Sequence, residues 1–471
     1  MAHTAPVRHG TGGQADPRRW AALALVCVAQ FMLVLDVTVV NVALPELGAE
    51  LRLGRTGLTW AVTVYTLFFG GLMLLGGRLA DAFGARRMLT AGLVVFTGAS
   101  LAAGLAQGEV SLLAARAVQG VGAAMLSPAA LSTVTASFHG GERNKALAVW
   151  AGLGGIGFAA GVLIGGLLTA GPGWRWVFFV NVPVGLAVLA ALPAFVRAGE
   201  PSRERRLDVL GALAVTAATA SFIYGMTHAG DEGWGAGETV LPLVGALALY
   251  AVFGWVERTV RFPLMHVGML TRRPVAAGAF LMLVASGLLI SLFFLGSLYL
   301  QHARGAGALR TGLLFLPAAL ATGAGAHVAG RLVGTAGTRP VAVGGLVLVA
   351  AGAALLTGLP ADGVLLPGLV VAAAGVGPVF VAATTSALGH AGHGEAGLAA
   401  GMINTCHELG AASGVAVAST VAAAGLAEAP SVGGFTDAFA VFAAVAAVAA
   451  VLAAGLVPAG KPELPGGPHV H

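Results

Sequence analysis

The chain has 471 residues, of which 57% are hydrophobic and only 10% charged, against about 25% charged in an ordinary soluble domain. That composition excludes a soluble enzyme or a water-soluble binding module and specifies a polytopic helical membrane protein. The net charge of +5 does not point to nucleic acid, because the basic residues lie in short loops where they set topology.

Residues 1–19 read as a polar, disordered cytoplasmic tail. The apolar run behind them is too long for a cleaved signal and is expected to stay as the first span. Fourteen apolar segments follow, near 20–44, 58–77, 88–106, 110–133, 147–169, 176–196, 207–227, 240–256, 275–300, 311–333, 340–358, 364–389, 397–425 and 435–457. Each is long enough, or nearly so, for a hydrocarbon core of roughly 30 Å. Connections on the amino-terminal side carry most of the arginines, among them Arg78, Arg86, Arg87, Arg143, Arg203, Arg258, Arg273 and Arg339. The opposite loops hold Asp231, Glu232 and Glu238. The positive-inside rule therefore places both termini in the cytoplasm. The two cysteines, Cys27 and Cys406, both fall in spans and imply no disulfide framework.

The first span contains one ionisable residue, Asp36, in LDVTVVNVALP. A carboxylate there costs about 2.5–3.5 kcal/mol on insertion scales and marks an ion or substrate path unless it is merely held neutral by a hydrogen bond. After the second span, GRLADAFGARR runs from Gly77 to Arg87. Gly77 and Gly84 are expected to make a tight turn. Asp81 is placed either to accept from amides at a helix start or to pair with Arg86 or Arg87, as a gating lock or as a static staple. Arg116 in the fourth span lies about 9 Å below its outer end, and Asp36 about 12 Å below the outer end of the first. The similar depths suggest a switchable pair in which protonation of Asp36 frees Arg116; a fixed structural pair is the alternative.

In the fifth span Gly157, Gly161, Gly165 and Gly166 form a small-residue face for close helix packing. The connection 257–274 is the longest on the inner side and is expected to hold a short interfacial helix. His327, in the tenth span, reads as structural. GRLVGTAGTRP, from Gly330 to Pro340, repeats the Gly77–Arg87 motif without a gap and carries Gly334 in place of Asp81. Both copies follow a span that ends on the same side, as in a duplicated transporter fold. The thirteenth span places His407 and Glu408 near mid-membrane. They point about 100° apart, and Glu408 is the candidate for a cation or second proton, with polar helix contact as the equal alternative. No P-loop, HExxH or nucleophile elbow occurs, so active transport would draw on an ion gradient.

These residues expect an all-α architecture of 14 transmembrane helices: a tail (1–19), a six-helix bundle (20–196), two additional helices with linkers (197–274), a second six-helix bundle (275–457) and a tail (458–471). Taken in order, LDVTVVNVALP, GRLADAFGARR, LLAARAVQGVGAA, WRWVFFVNVPVG and GLAAGMINTCHELG resemble the major facilitator superfamily, and within it the fourteen-span drug:proton antiporters. The resemblance covers Trp20 to about Leu456. It implies a proton-coupled exporter of drugs or natural products in a bacterial cytoplasmic membrane, monomeric, using a proton gradient and no cofactor or metal. Its partners would be amphipathic small molecules, protons and lipid. It implies coupling roles for Asp36 and Arg116 and a gating role for Asp81. The fifth span departs from the antiporter pattern, with Gly161-Val162 where a Gly-Pro bend is usual. A nutrient importer or uniporter on the same scaffold, and a non-transporting membrane sensor, stay open as alternatives.

Overall fold

In the computed structural model, which describes residues 18–138, 140–196, 208–260, 263–265, 267–359, 363–389, 395–426 and 433–460, the apolar runs become long helices and no strand occurs among the described residues. In chain order the helices are α1 (Arg19–Leu51), α2 (Arg55–Phe83), α3 (Ala85–Gly104), α4 (Glu109–Ser137), α5 (Gly140–Ala170), α6 (Trp176–Phe179), α7 (Asn181–Phe195), α8 (Val209–Asp231) and α9 (Gly237–Thr259). The second part of the chain adds α10 (Val267–Thr271), α11 (Arg273–Leu298), α12 (Ala308–Ala336), α13 (Thr338–Leu356), α14 (Leu365–Leu388), α15 (Ala396–Leu426) and α16 (Gly433–Leu456). Among the described residues twelve helices are long and apolar enough to cross a membrane, with α6 and α7 counted together. α5 and α15 are 31 residues each. Residues 1–17 and 461–471 of the expected tails, and the arginine-bearing stretch 197–207, lie outside the described residues.

One local expectation changes, and two spans gain detail. The first span ends at Leu44 as expected, but its helix α1 runs on to Leu51. Leu47 is fully buried there, and the helix closes with Arg52 in the left-handed region, its amide bonding the Gly48 carbonyl. The sixth span runs from Trp176 to Phe195 as expected, its single turn α6 joined to α7 through Val180, whose backbone is itself helical. Gly77 to Arg87 is not a loop, because nothing between Gly77 and Phe83 breaks the helix. Only Gly84, at φ +94°, turns the chain from α2 into α3. The second copy does the same with one residue, Gly337 at φ +90°. The expected short helix of the inner connection is α10.

Helices α1 to α5 and α7 pack on one another, and so do α11 to α16. Two seams join these groups. In the first, α5 lies against α12 along most of its length: a Cβ at Gly312 would stand 3.0 Å from Val162, one at Gly323 3.5 Å from Ile156, and one at Gly330 2.7 Å from Ala148. In the second, α2 meets α15 at the face where α1 begins, with Gly77 against the backbone of Gly397 and Gly401, and with Gly401 against Met73. Toward the other face this seam is occupied by α8. Thr216, Ala220 and Ile223 pack on Gly70 and Gly71 of α2, and Tyr224 meets Trp60 with ring centroids 5.9 Å apart. Gly230 abuts Ser419 of α15, and Trp234 Nε1 donates to Thr420 Oγ1 at 3.0 Å.

Candidate functional site

Asp36 and Arg116 meet. The guanidinium Nη1 donates to Asp36 Oδ2 at 2.6 Å, with the two side chains 0% and 1% exposed. Such a pair is tolerable only if its remaining lone pairs and protons find partners, and here most of them do. Gln119 Nε2 donates to Asp36 Oδ1 at 2.8 Å, and Asn181 Nδ2 donates to the same oxygen at 2.9 Å. Arg116 also donates from Nη1 to Gln119 Oε1 at 2.8 Å and from Nε to the Ala61 carbonyl at 3.1 Å. Gln119 Nε2 reaches Ser100 Oγ at 2.8 Å. The guanidinium lies over the Tyr65 ring at 4.3 Å and the Phe178 ring at 5.8 Å. One network thus ties α1, α2, α3, α4 and α7. Removing either charge from it would leave the other buried and unpaired, a loss of about 3–5 kcal/mol.

The local sequence explains the convergence. Arg116 and Gln119 are three residues apart on α4 and so share a face. Asn181 is the first residue of α7 and reaches Asp36 from there. Gln119, Asn181, Ser100 and Tyr65 were not singled out from the sequence. Two signals were available: Gln119 stands one turn from the buried arginine, and Asn181 is the one amide side chain in an otherwise apolar span.

Asp81 binds across the second seam. Its Oδ1 accepts from the Gly397 amide and its Oδ2 from the Leu398 amide, both at 2.7 Å, so one carboxylate satisfies two free N–H groups in the first turn of α15. This is the helix-start alternative; Arg86 and Arg87 are instead in the first turn of α3, on the far side of Gly84, and are not its bonded partners. The same face carries a second cross-link, Arg143 Nη2 to the Leu388 carbonyl at 2.5 Å. Deeper, Asn404 Nδ2 of α15 donates to Ser127 Oγ of α4 at 3.0 Å.

His407 and Glu408 do not join the Asp36 network through any hydrogen bond. His407 turns toward α14, its ring 5.8 Å from that of Phe380, while its carbonyl accepts from Ser286 Oγ at 2.7 Å. Glu408 turns toward α2: its Cβ is 3.2 Å from where a Cβ on Gly70 would stand. Between the two sites lies Tyr65, within electrostatic reach of Asp36, Arg116 and Glu408, its buried hydroxyl without a hydrogen-bond partner. His327 is exposed on α12.

The glycine face of α5 packs on α1: a Cβ at Gly157 would be 2.6 Å from Val34, one at Gly161 2.5 Å from Thr38 and one at Gly165 3.1 Å from Val39. Gly166 is not part of it. It points about 100° away from Gly165, and a Cβ there would meet nothing within 4 Å. Among the described residues no group of three or more His, Cys, Asp or Glu could hold a metal ion.

Charge buried in a hydrogen-bonded network inside membrane-length helices, and an acid that clasps one helix group to another, define a multi-pass membrane transporter. The pattern of the Major Facilitator Superfamily matches residues 26–415, and the chain belongs to that superfamily. It is 39% identical to a puromycin resistance protein of Streptomyces alboniger, over 88% of this chain and 84% of that one. It is 37% identical to a cephamycin export protein of Amycolatopsis lactamdurans, over 95% of both, and 36% identical to a lincomycin resistance protein of Streptomyces lincolnensis, over 90% and 87%. A human organic anion transporter superimposes with a TM-score of 0.68 at 15% identity, covering 93% of this chain and 100% of that one. A proton:xylose symporter superimposes with a TM-score of 0.67 at 14% identity, covering 96% and 98%. At those identities the two structures speak for the fold alone. The protein is a transporter and not an enzyme.

Proposed function

We propose that this chain is a proton-coupled secondary active exporter of amphipathic antibiotics or related natural products, working by alternating access in a bacterial cytoplasmic membrane. The observation that carries the reading is the buried Asp36–Arg116 pair held by Gln119 and Asn181. A carboxylate whose charge is balanced by one buried arginine is a binary element: a proton arriving on Asp36 releases Arg116, and departure of that proton restores the pair. Resistance and export relatives at 36–39% identity over most of both chains support the outward direction and the substrate class. The proton gradient is the energy source, and no cofactor takes part.

In this reading α5 and α15 cross the bilayer with the twelve apolar helices, giving fourteen spans in two six-helix bundles (20–196 and 275–457) with α8 and α9 between them. The protein works as a monomer in lipid, with both termini in the cytoplasm, so that the arginine-rich face is internal. The Asp81 clasp then closes the cytoplasmic side, and the inward-open state requires its release; Gly84, Arg86 and Arg87 turn and anchor that gate. Glu408 and His407 line the path as the carboxylate and imidazole of the second bundle.

Dye movement into energised inverted vesicles tests the proposal. Uptake should follow an imposed pH gradient, collapse with a protonophore and be absent in Asp36→Asn, with the variant present in the membrane at the normal level. Gradient-driven uptake by Asp36→Asn equal to that of the unmodified protein would refute it.

A further inference from the structure

A second pair of acids sits where α8 and α9 reach the arginine-rich face. Asp208 caps the start of α8 and accepts the Gly211 amide on Oδ1 at 2.9 Å. Glu257, near the end of α9, accepts the Met265 amide on Oε2 at 2.8 Å. Each therefore has one oxygen engaged by backbone. The other two oxygens, Asp208 Oδ2 and Glu257 Oε1, are buried and have no hydrogen-bond partner among the described residues, in residues only 9% and 5% exposed. Both lie 2.5 Å from the point where a Cβ on Gly211 would stand, so they are at most twice that distance apart. Glycine at 211 leaves the space into which both are aimed.

Two ionised carboxylates cannot rest in this arrangement. Each orphan oxygen would carry charge away from water, at a cost of several kcal/mol, and the two charges would repel. Among the described residues one basic side chain acts on Glu257. Arg78 from α2 is within electrostatic reach of Glu257, and also of Asp81, but is joined to neither orphan oxygen by a hydrogen bond. The segment before α10 contributes the Leu264 and Met265 amides to Glu257, and the other charge acting on Glu257 is that of Asp208 itself. A carboxylic acid beside a carboxylate resolves the conflict. One O–H satisfies both oxygens and leaves a single negative charge opposite Arg78. Carboxyl torsions are soft enough for the oxygens to close to bonding distance.

We propose that Asp208 and Glu257 bind one proton between Oδ2 and Oε1, as a proton site separate from Asp36. The proton stays covalently on one carboxyl and donates to the other. Because Arg78 faces both this pair and Asp81, the charge on the pair is felt at the clasp that joins α2 to α15.

Infrared spectroscopy of the purified full chain at neutral pH, without substrate or gradient, tests the site independently of the transport reading. Asp208→Asn retains the acceptor for Gly211, and Glu257→Gln retains the acceptor for Met265. The expected result is that each single variant loses the same protonated-carboxyl C=O band, equivalent to one carboxyl per chain, and that the double variant loses no more than either single. If one variant fails to accumulate as a monodisperse protein, the other gives the same reading. Spectra of the variants superimposable on that of the unmodified protein would overturn the proposal, as would a double variant that loses two carboxyl equivalents, the signature of two independent acids.

Discussion

Replacing Gly77 with alanine puts a methyl group into the closest point of the α2–α15 seam. The new Cβ would stand 2.9 Å from the carbonyl carbon of Gly397, with its oxygen nearer still, and 3.1 Å from the Cα of Gly401. All three are backbone atoms and cannot rotate away. Ordinary carbon contacts begin near 3.5 Å, so the helices must part by roughly 1 Å. Asp81 is one turn further along α2, and its two bonds of 2.7 Å to the Gly397 and Leu398 amides would stretch past about 3.6 Å, where they cease to be hydrogen bonds. Bonds to a charged acceptor contribute about 1.5–3 kcal/mol each. Since Asp81 is half-buried and water replaces part of what is lost, the low end applies, about 3 kcal/mol for the pair. That shifts the balance toward the state open at the arginine-rich face by about a hundredfold. The assay is alkylation of Leu74→Cys, with Cys27 and Cys406 replaced by serine, using a membrane-impermeant maleimide applied from that face. Leu74 is buried beside Gly401, so its labelling rate follows opening. An unchanged rate in Gly77→Ala, with the protein folded, would refute the claim that this contact and the Asp81 clasp hold the seam shut.

Arg116→Lys is expected to abolish efflux although charge is kept, because one ammonium cannot serve Asp36, Gln119 and the Ala61 carbonyl while stacking on Tyr65; dye efflux at matched expression checks it. Gly161→Ala should lower thermal stability by about 1–3 kcal/mol through overpacking against Thr38, while Gly166→Ala, in open space, should leave it unchanged or slightly raised; thermal unfolding in detergent reads both. On the face opposite the arginines, Glu50 is held below the usual carboxylate range by hydrogen bonds from Arg175 and then Trp174. A depressed folded-state value means that this stabilisation is present above the unfolded value of about 4.3 and is lost as pH falls through the folded one. The unfolding midpoint of Glu50→Gln should therefore lie below that of the unmodified protein at neutral pH, and the two should converge in acid.

Asp36 and Arg116 were legible because a lone charge in an apolar run has no ordinary explanation, and helix rise alone put both at one depth. The rest of their network was not. Gln119, Asn181 and Ser100 are uncharged, and an uncharged polar residue in a span is as often bonded to its own helix as to a neighbour; Thr38, which bonds Val34, is of that kind. The partner of Asp81 was illegible for a different reason. It is two backbone amides, 316 and 317 positions away, and an amide leaves no mark in a sequence. Gly77 was read as a turn residue, since spacing cannot tell a glycine that bends a chain from one that lets two helices touch. Asp208 and Glu257 could not be read as a pair, because nothing in their separation reveals that α8 and α9 bring them together.

The placement of α8 has a practical consequence for any attempt to shorten this protein. α5 and α12 seal their seam with their own glycines, but α2 and α15 do so only at one end, and Tyr224 and Trp234 complete the wall at the other. Excising residues of α8 and α9 to make a twelve-helix version would leave a slot beside Trp60 and Thr420 into which acyl chains of the bilayer could enter. A chimera that exchanges either helix group with a relative must therefore carry the α8–α9 hairpin as part of the graft, matched to the α2 and α15 surfaces it closes.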